Sequence, residues 1–205
     1  MREALLPPIL RRITRLRPVA LAAALLFGAP ALAPAHEIPK SVSVFVFIKP
    51  EGRVLRLVAR VPLEAMRDIQ WPLRGPGYLE LGKLDSLLRD GTKIWISDNL
   101  KLYEADAPLP APAIRNARVS LQSDRSFSSY EAATGHFADA PIPVATDLAW
   151  QQAMVDIVLE YPLTSAASRF SIAPALARLG VRTTTVLRFL PPNGSERAFT
   201  YLGDP

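Results

Sequence analysis

Cysteine is absent from all 205 residues. That excludes disulfides, thiol nucleophiles, cysteine-ligated zinc and iron–sulfur clusters together. Histidine is nearly as scarce: His36 and His136 are the two in the chain, and neither lies in an H-E-x-x-H or similar metal pattern. A G-x-S-x-G elbow, a phosphate-binding loop and a dinucleotide fingerprint are missing too. Acidic residues such as Glu64, Asp68, Asp85 and Asp90 are scattered among basic neighbours, as on a solvated surface. The chain is therefore expected not to be an enzyme. A hydrolase recruiting His136 is the reserve reading.

Long apolar runs are also lacking. The longest, residues 19–32, covers about 14 positions, against the roughly 20 a helix needs to span a bilayer. It follows a basic stretch with Arg2, Arg11, Arg12, Arg15 and Arg17, and precedes Ala31-Leu32-Ala33 and Ala33-Pro34-Ala35. Basic head, short apolar core and small-residue cleavage motif make a secretory signal peptide of residues 1–35, cut after Ala33 or Ala35. The Arg11-Arg12 pair lacks the rest of a twin-arginine pattern, so the general export route is expected. Residues 36–205 then form a single soluble extracytoplasmic domain, exported to the periplasm, and about 170 residues bury enough surface for one core.

Excess positive charge disappears with the signal. The whole chain carries +5, but five of its 24 basic residues and one of its 19 acidic residues lie in positions 1–35. The remainder holds 19 basic against 18 acidic residues, about +1, so charge gives no support to a nucleic-acid partner.

What is present is strand pattern. Residues 41–48 are β-branched and aromatic. Lys49-Pro50-Glu51-Gly52 is turn chemistry, and residues 53–61 alternate, with Leu55, Leu57, Ala59 and Val61 opposite Val54, Arg56, Val58 and Arg60. That predicts a hairpin with one buried face, Arg56 and Arg60 lying on the exposed one. Leu81, Leu84, Leu87 and Leu88 recur at helical spacing, with Gly91 as the stop. Residues 94–103 fit either a helix or a strand, and the prolines of 106–112 mark a loop.

Further strands are expected at 115–121 and 154–161, and a hairpin at 181–190 and 197–202 around Pro191-Pro192-Asn193-Gly194. Ser128 and Glu131 form a capping box for a short helix over 130–137. The expected fold is mainly β, antiparallel and sandwich-like, with a few short helices. Trp71, Trp95 and Trp150 read as core residues, and Ser123-Asp124-Arg125-Ser126 as a helix entrance with a local ion pair.

The histidines carry the one chemical candidate. Cleavage after Ala35 would make His36 the first residue, whose amine and imidazole chelate one metal, with His136 as a second ligand suited to copper or nickel. Cleavage after Ala33 would put His36 third, where amine, backbone amides and imidazole hold Cu(II) or Ni(II) in a square plane. The bland reading is a frayed terminal residue, and no cofactor is fixed by the sequence.

His36-Glu37-Ile38-Pro39, Arg60-Val61-Pro62-Leu63, Arg74-Gly75-Pro76-Gly77-Tyr78, Ser123-Asp124-Arg125-Ser126-Phe127, Glu160-Tyr161-Pro162-Leu163 and Leu187-Arg188-Phe189-Leu190-Pro191-Pro192 stand in order along the chain, with Gly203-Asp204-Pro205 last. Together with the turn at 49–52 they resemble the N-terminal region of bacterial HupE/UreJ-type proteins, hydrogenase and urease accessory membrane proteins associated with nickel uptake. The resemblance implies a periplasmic, membrane-associated transport accessory that serves metal handling, with a multi-helix, HupE/UreJ-like permease part as partner. Such members continue into transmembrane helices. This chain stops before any of them, which implies a truncated or split form or a free-standing relative of the soluble region. The alternative is a secreted β-sandwich interaction module, or a fragment, with no metal role.

Overall fold

The computed structural model describes residues 38–204; the expected signal segment, both cleavage positions and His36 lie outside them. In chain order the strands and helices are β1 (Ser41–Glu51), β2 (Val54–Pro62), β3 (Leu73–Arg74), β4 (Tyr78–Leu79), α1 (Asp85–Gly91), β5 (Leu100–Glu104) and β6 (Ala107–Pro108). There follow β7 (Ala113–Leu121), α2 (Tyr130–Gly135), β8 (Ala153–Pro162), β9 (Phe170–Pro174), β10 (Arg182–Phe189) and β11 (Arg197–Leu202). The fold is mainly β with few short helices, as the alternation patterns predict.

Six strands form one sheet in the order β11-β10-β1-β2-β8-β7, and β6-β5-β9 form a second. Every pairing is antiparallel except β1 with β10, which run parallel. The β1–β2 turn closes through Gly52, whose φ of +61° suits a residue without Cβ. The small β3–β4 hairpin surrounds the glycines of the expected turn at 74–78.

One face of the large sheet carries the core. Val42, Val44, Val46 and Ile48 of β1 meet Leu55, Leu57, Ala59 and Val61 of β2 and Val155, Ile157 and Leu159 of β8, all essentially inaccessible. Each such valine, leucine or isoleucine side chain contributes about 1.5–3 kcal/mol on burial. The opposing layer combines the second sheet, through Leu100 and Leu102, with Leu84 and Leu88 around α1. It also includes Trp71 and Trp95, while Trp150 packs at its margin. A stop at Gly91 is not observed. The helical path continues as a π turn over Thr92–Ile96 and a 3-10 turn over Ser97–Asn99 before β5 begins. Gly91 lies close against its neighbours, and a Cβ there would stand 3.0 Å from the Met66 sulfur, an atom of a flexible side chain.

The other face of the sheet departs from expectation. Val58 is fully buried and Arg60 is 4% exposed. Phe47, Val58 and Val158 pack against Tyr130 and Ala133 of α2. Ser129 caps that helix by accepting the Ala132 N–H at 3.1 Å, one residue later than the expected Ser128. Tyr130 donates its hydroxyl to Glu51 at 2.8 Å, fastening the helix to the end of β1. Alternation along β2 reports polarity and cannot show that the polar face is covered.

Candidate functional site

The largest group of buried charge lies under that cover. Arg60 of β2 and Arg118 of β7 both stand opposite Asp156 of β8 in the strand registers, so one row across three strands reads Arg, Asp, Arg. Asp156 is fully buried. Arg60 donates from Nε to Asp156 Oδ1 at 2.6 Å and from Nη2 to Oδ2 at 2.7 Å. It also reaches the segment after β7, donating to the Asp124 carbonyl at 2.8 Å, Asp124 Oδ1 at 2.9 Å and Ser126 Oγ at 3.0 Å. The Phe127 ring lies 4.4 Å from the guanidinium carbon. Asp124 thus pairs with Arg60, 64 positions away, and accepts from Ser126; among the described residues no ion pair joins it to Arg125, so the expected local ion pair is replaced by one across the sheet. The segment is a helix entrance as predicted, since a 3-10 turn covers Ser126–Ser128.

Burial by itself would lower the Arg60 pKa; hydrogen bonds and charge from Asp156 and Asp124 outweigh it and hold it above the ordinary value. At Asp124 burial acts to raise the pKa. The Ser126 hydroxyl and N–H, together with Arg60, overcome that and hold the carboxyl well below the usual range. Asp124 Oδ1 accepts from Ser126 Oγ at 2.5 Å and from Ser126 N–H at 2.8 Å. The serine hydroxyl is thus held between the Asp124 carboxylate, to which it donates, and Arg60, from which it accepts.

His136 follows α2 at the start of a 3-10 turn, His136–Ala138, and its side chain is 9% exposed. Its Nε2 lies 3.2 Å from Asp156 Oδ2 but is misaligned for a hydrogen bond. Its Nδ1 lies 3.4 Å from Asp139 and 3.8 Å from Asp124. Arg118 donates to the carbonyls of His136 at 2.6 Å, Asp139 at 3.2 Å and Ala140 at 3.1 Å, tying down the helix end.

This donor set fits guanidinium and does not fit a metal dication. Both Asp156 oxygens and Asp124 Oδ1 are held by Arg60, and a cation beside His136 Nε2 would meet that fixed positive charge. Among the described residues no group of three or more His, Asp or Glu side chains is arranged to hold a metal ion. His36 and His136 cannot be related, because His36 lies outside the described residues. The buried Asp156 and the half-buried Arg118 carry no motif in the sequence that singles them out. Their signal was the placement of Arg60, Arg118 and Asp156 on the polar sides of three alternating strands.

A second feature is a groove of about 670 Å³ between β9 and the β10–β11 hairpin. Phe170 and Ile172 line one side, and Leu187, Phe189, Phe199 and Tyr201 the other. Here the two sheets part, leaving Phe199 exposed and Phe170, Phe189 and Tyr201 half-buried: Phe170 and Phe189 are 6.2 Å apart, and Phe199 stacks on Tyr201 at 6.4 Å. Among the described residues no helix is long and apolar enough to cross a membrane.

No protein-family model matches the chain, and a search of curated proteins returns no match.

Proposed function

We propose that residues 36–205 work as a non-enzymatic domain on the periplasmic side of a membrane, similar to the soluble region of HupE/UreJ-type proteins. The domain docks to a multi-helix membrane partner concerned with nickel or copper. The observation that carries this reading is the fate of the buried charges. Arg60, Asp124, Asp156 and Ser126 spend their hydrogen bonds on one another, fastening the segment after β7 to the sheet. Chemistry of that kind stabilises a platform and turns over no substrate.

Metal handling, on this reading, rests on His36 as the first or third residue after export, or on the partner itself. The test is calorimetric titration of nickel and of copper into protein exported with its own signal, its N-terminus fixed by mass spectrometry. One-to-one binding at micromolar strength or tighter, abolished by His36→Ala, supports a metal-presenting domain. Binding that survives His36→Ala moves the site elsewhere. No binding leaves the alternative, a periplasmic interaction module without a metal role.

A further inference from the structure

The groove between β9 and the β10–β11 hairpin lies away from the buried charge row and takes no part in it. Its apolar lining comes from both sheets and is unusual in staying open. Phe199 is 43% exposed, although aromatic side chains of a two-layer β fold ordinarily close against one another. The volume of about 670 Å³ falls within the range of about 300–1,000 Å³ typical of small-molecule sites.

Charge at the rim is of one sign. Arg169 and Arg197 line the groove, and no Asp or Glu does. Among the described residues neither guanidinium has a side-chain hydrogen bond or ion pair, whereas Arg188, Glu196 and Asp204 nearby are engaged. Arg188 contacts Glu196 at 3.5 Å and donates to the Ser128 carbonyl on the opposite face. Asp204 accepts the Ala177 N–H at 2.7 Å. Residues 166–204 hold five arginines against Glu196 and Asp204, so this end of a nearly neutral domain is distinctly basic.

An aromatic trough rimmed by two unpaired guanidiniums matches a ligand that is apolar along its length and anionic at one end. We propose that this groove binds a single acyl chain bearing a carboxylate or phosphate head, the chain lying against Phe170, Phe189 and Phe199 and the head meeting Arg169 and Arg197. Guanidinium recognises both head groups through paired N–H donors. The inference does not depend on the metal reading, and its test reads a different ligand.

The probe is dodecanoate below its micelle threshold, titrated by calorimetry into the exported protein. Dodecyl maltoside serves as the neutral chain and inorganic phosphate as the anion without a chain. Dodecanoate is expected to bind one to one, at least about tenfold more tightly than dodecyl maltoside, and phosphate not measurably. Arg169→Ala with Arg197→Ala should bring dodecanoate down to the neutral level at unchanged thermal stability, since both side chains are exposed. Phe199→Asp should abolish binding of both chains. Equal affinity for the two chains, phosphate binding as strong as dodecanoate, or indifference to the arginine substitutions would overturn the proposal. So would sedimentation showing a dimer that Phe199→Asp separates while dodecanoate fails to bind, since a second copy would then be the occupant.

Discussion

Arg60 and Asp156 face each other across β2 and β8, joined by hydrogen bonds of 2.6 and 2.7 Å, with side chains 5% and 0% exposed. Neither charge has water to fall back on. Arg60→Met should therefore cost about 3–5 kcal/mol by stranding the buried carboxylate. Arg60→Met combined with Asp156→Leu should recover most of that loss, because apolar groups of similar volume replace a buried pair at little net cost. Urea unfolding of the two single variants and the double variant measures this, and additive losses would contradict it.

Acid should loosen the fold through particular carboxyls. Asp124 is held low despite its burial, by Ser126 and Arg60. Glu160 is held low chiefly by Arg115, against the effect of burial and with help from Arg56. Glu104 is lowered by the N–H of Thr164 and, against a small desolvation effect, by Ser165 and Ser168. A carboxyl lowered on folding adds stability above its unfolded pKa of about 4, and that stability is lost as pH falls through the folded value. Glu64 acts oppositely: burial raises it, so it favours the fold less once ionised. Urea midpoints taken from pH 7 down to pH 2 should fall below about pH 4, and Asp124→Asn should flatten the decline.

Two glycines should respond differently to alanine. At Gly180 a Cβ would lie 2.8 Å from Val42 Cγ2 and 3.0 Å from the Pro39 carbonyl. That carbonyl already accepts the Val181 N–H at 2.9 Å. Gly180→Ala should cost about 1–3 kcal/mol, as overpacking does. At Gly91 the nearest atom is the Met66 sulfur at 3.0 Å, the flexible part of a long side chain. Alanine also gains about 1 kcal/mol of helix propensity there, so Gly91→Ala should be close to neutral. Thermal unfolding of the pair decides the matter.

His136 should matter for the fold and not for metal. With its ring enclosed among Asp124, Asp139 and Asp156, His136→Asn should lower stability by about 1–2 kcal/mol while leaving nickel and copper titrations unchanged. His36→Ala should do the reverse. A loss of metal affinity in His136→Asn at unchanged stability would return His136 to the ligand set.

Much of the architecture was legible because strands announce themselves locally. Both hairpins, the inward set Leu55, Leu57, Ala59 and Val61, and the alternating run around Ile157 follow from period-two patterning. The short strand β9 escaped, having polar and small residues at alternate positions and no turn signal of its own. Parallel pairing of β1 with β10 has no local mark at all. The site was least legible: Arg60 looks like an exposed arginine until α2 and the Ser126 turn are seen above it, and covering is a tertiary property. Gly91 looks in sequence like a helix stop, yet the helical path runs on through it as a π turn, and that continuation has no local mark.

The parallel union of β1 and β10 also sets an order of events. Ser41 pairs with Arg182 and Ile48 with Phe189, so β1 cannot complete its hydrogen bonding until the chain has been made as far as Phe189. Until then the β1–β2 hairpin offers an open edge rich in valine and phenylalanine, the kind that recruits other chains. Such remote closure makes folding slow. A chain emerging amino end first would therefore depend on its surroundings to keep that edge from wrong partners, and slow emergence would be a greater hazard to it than low final stability.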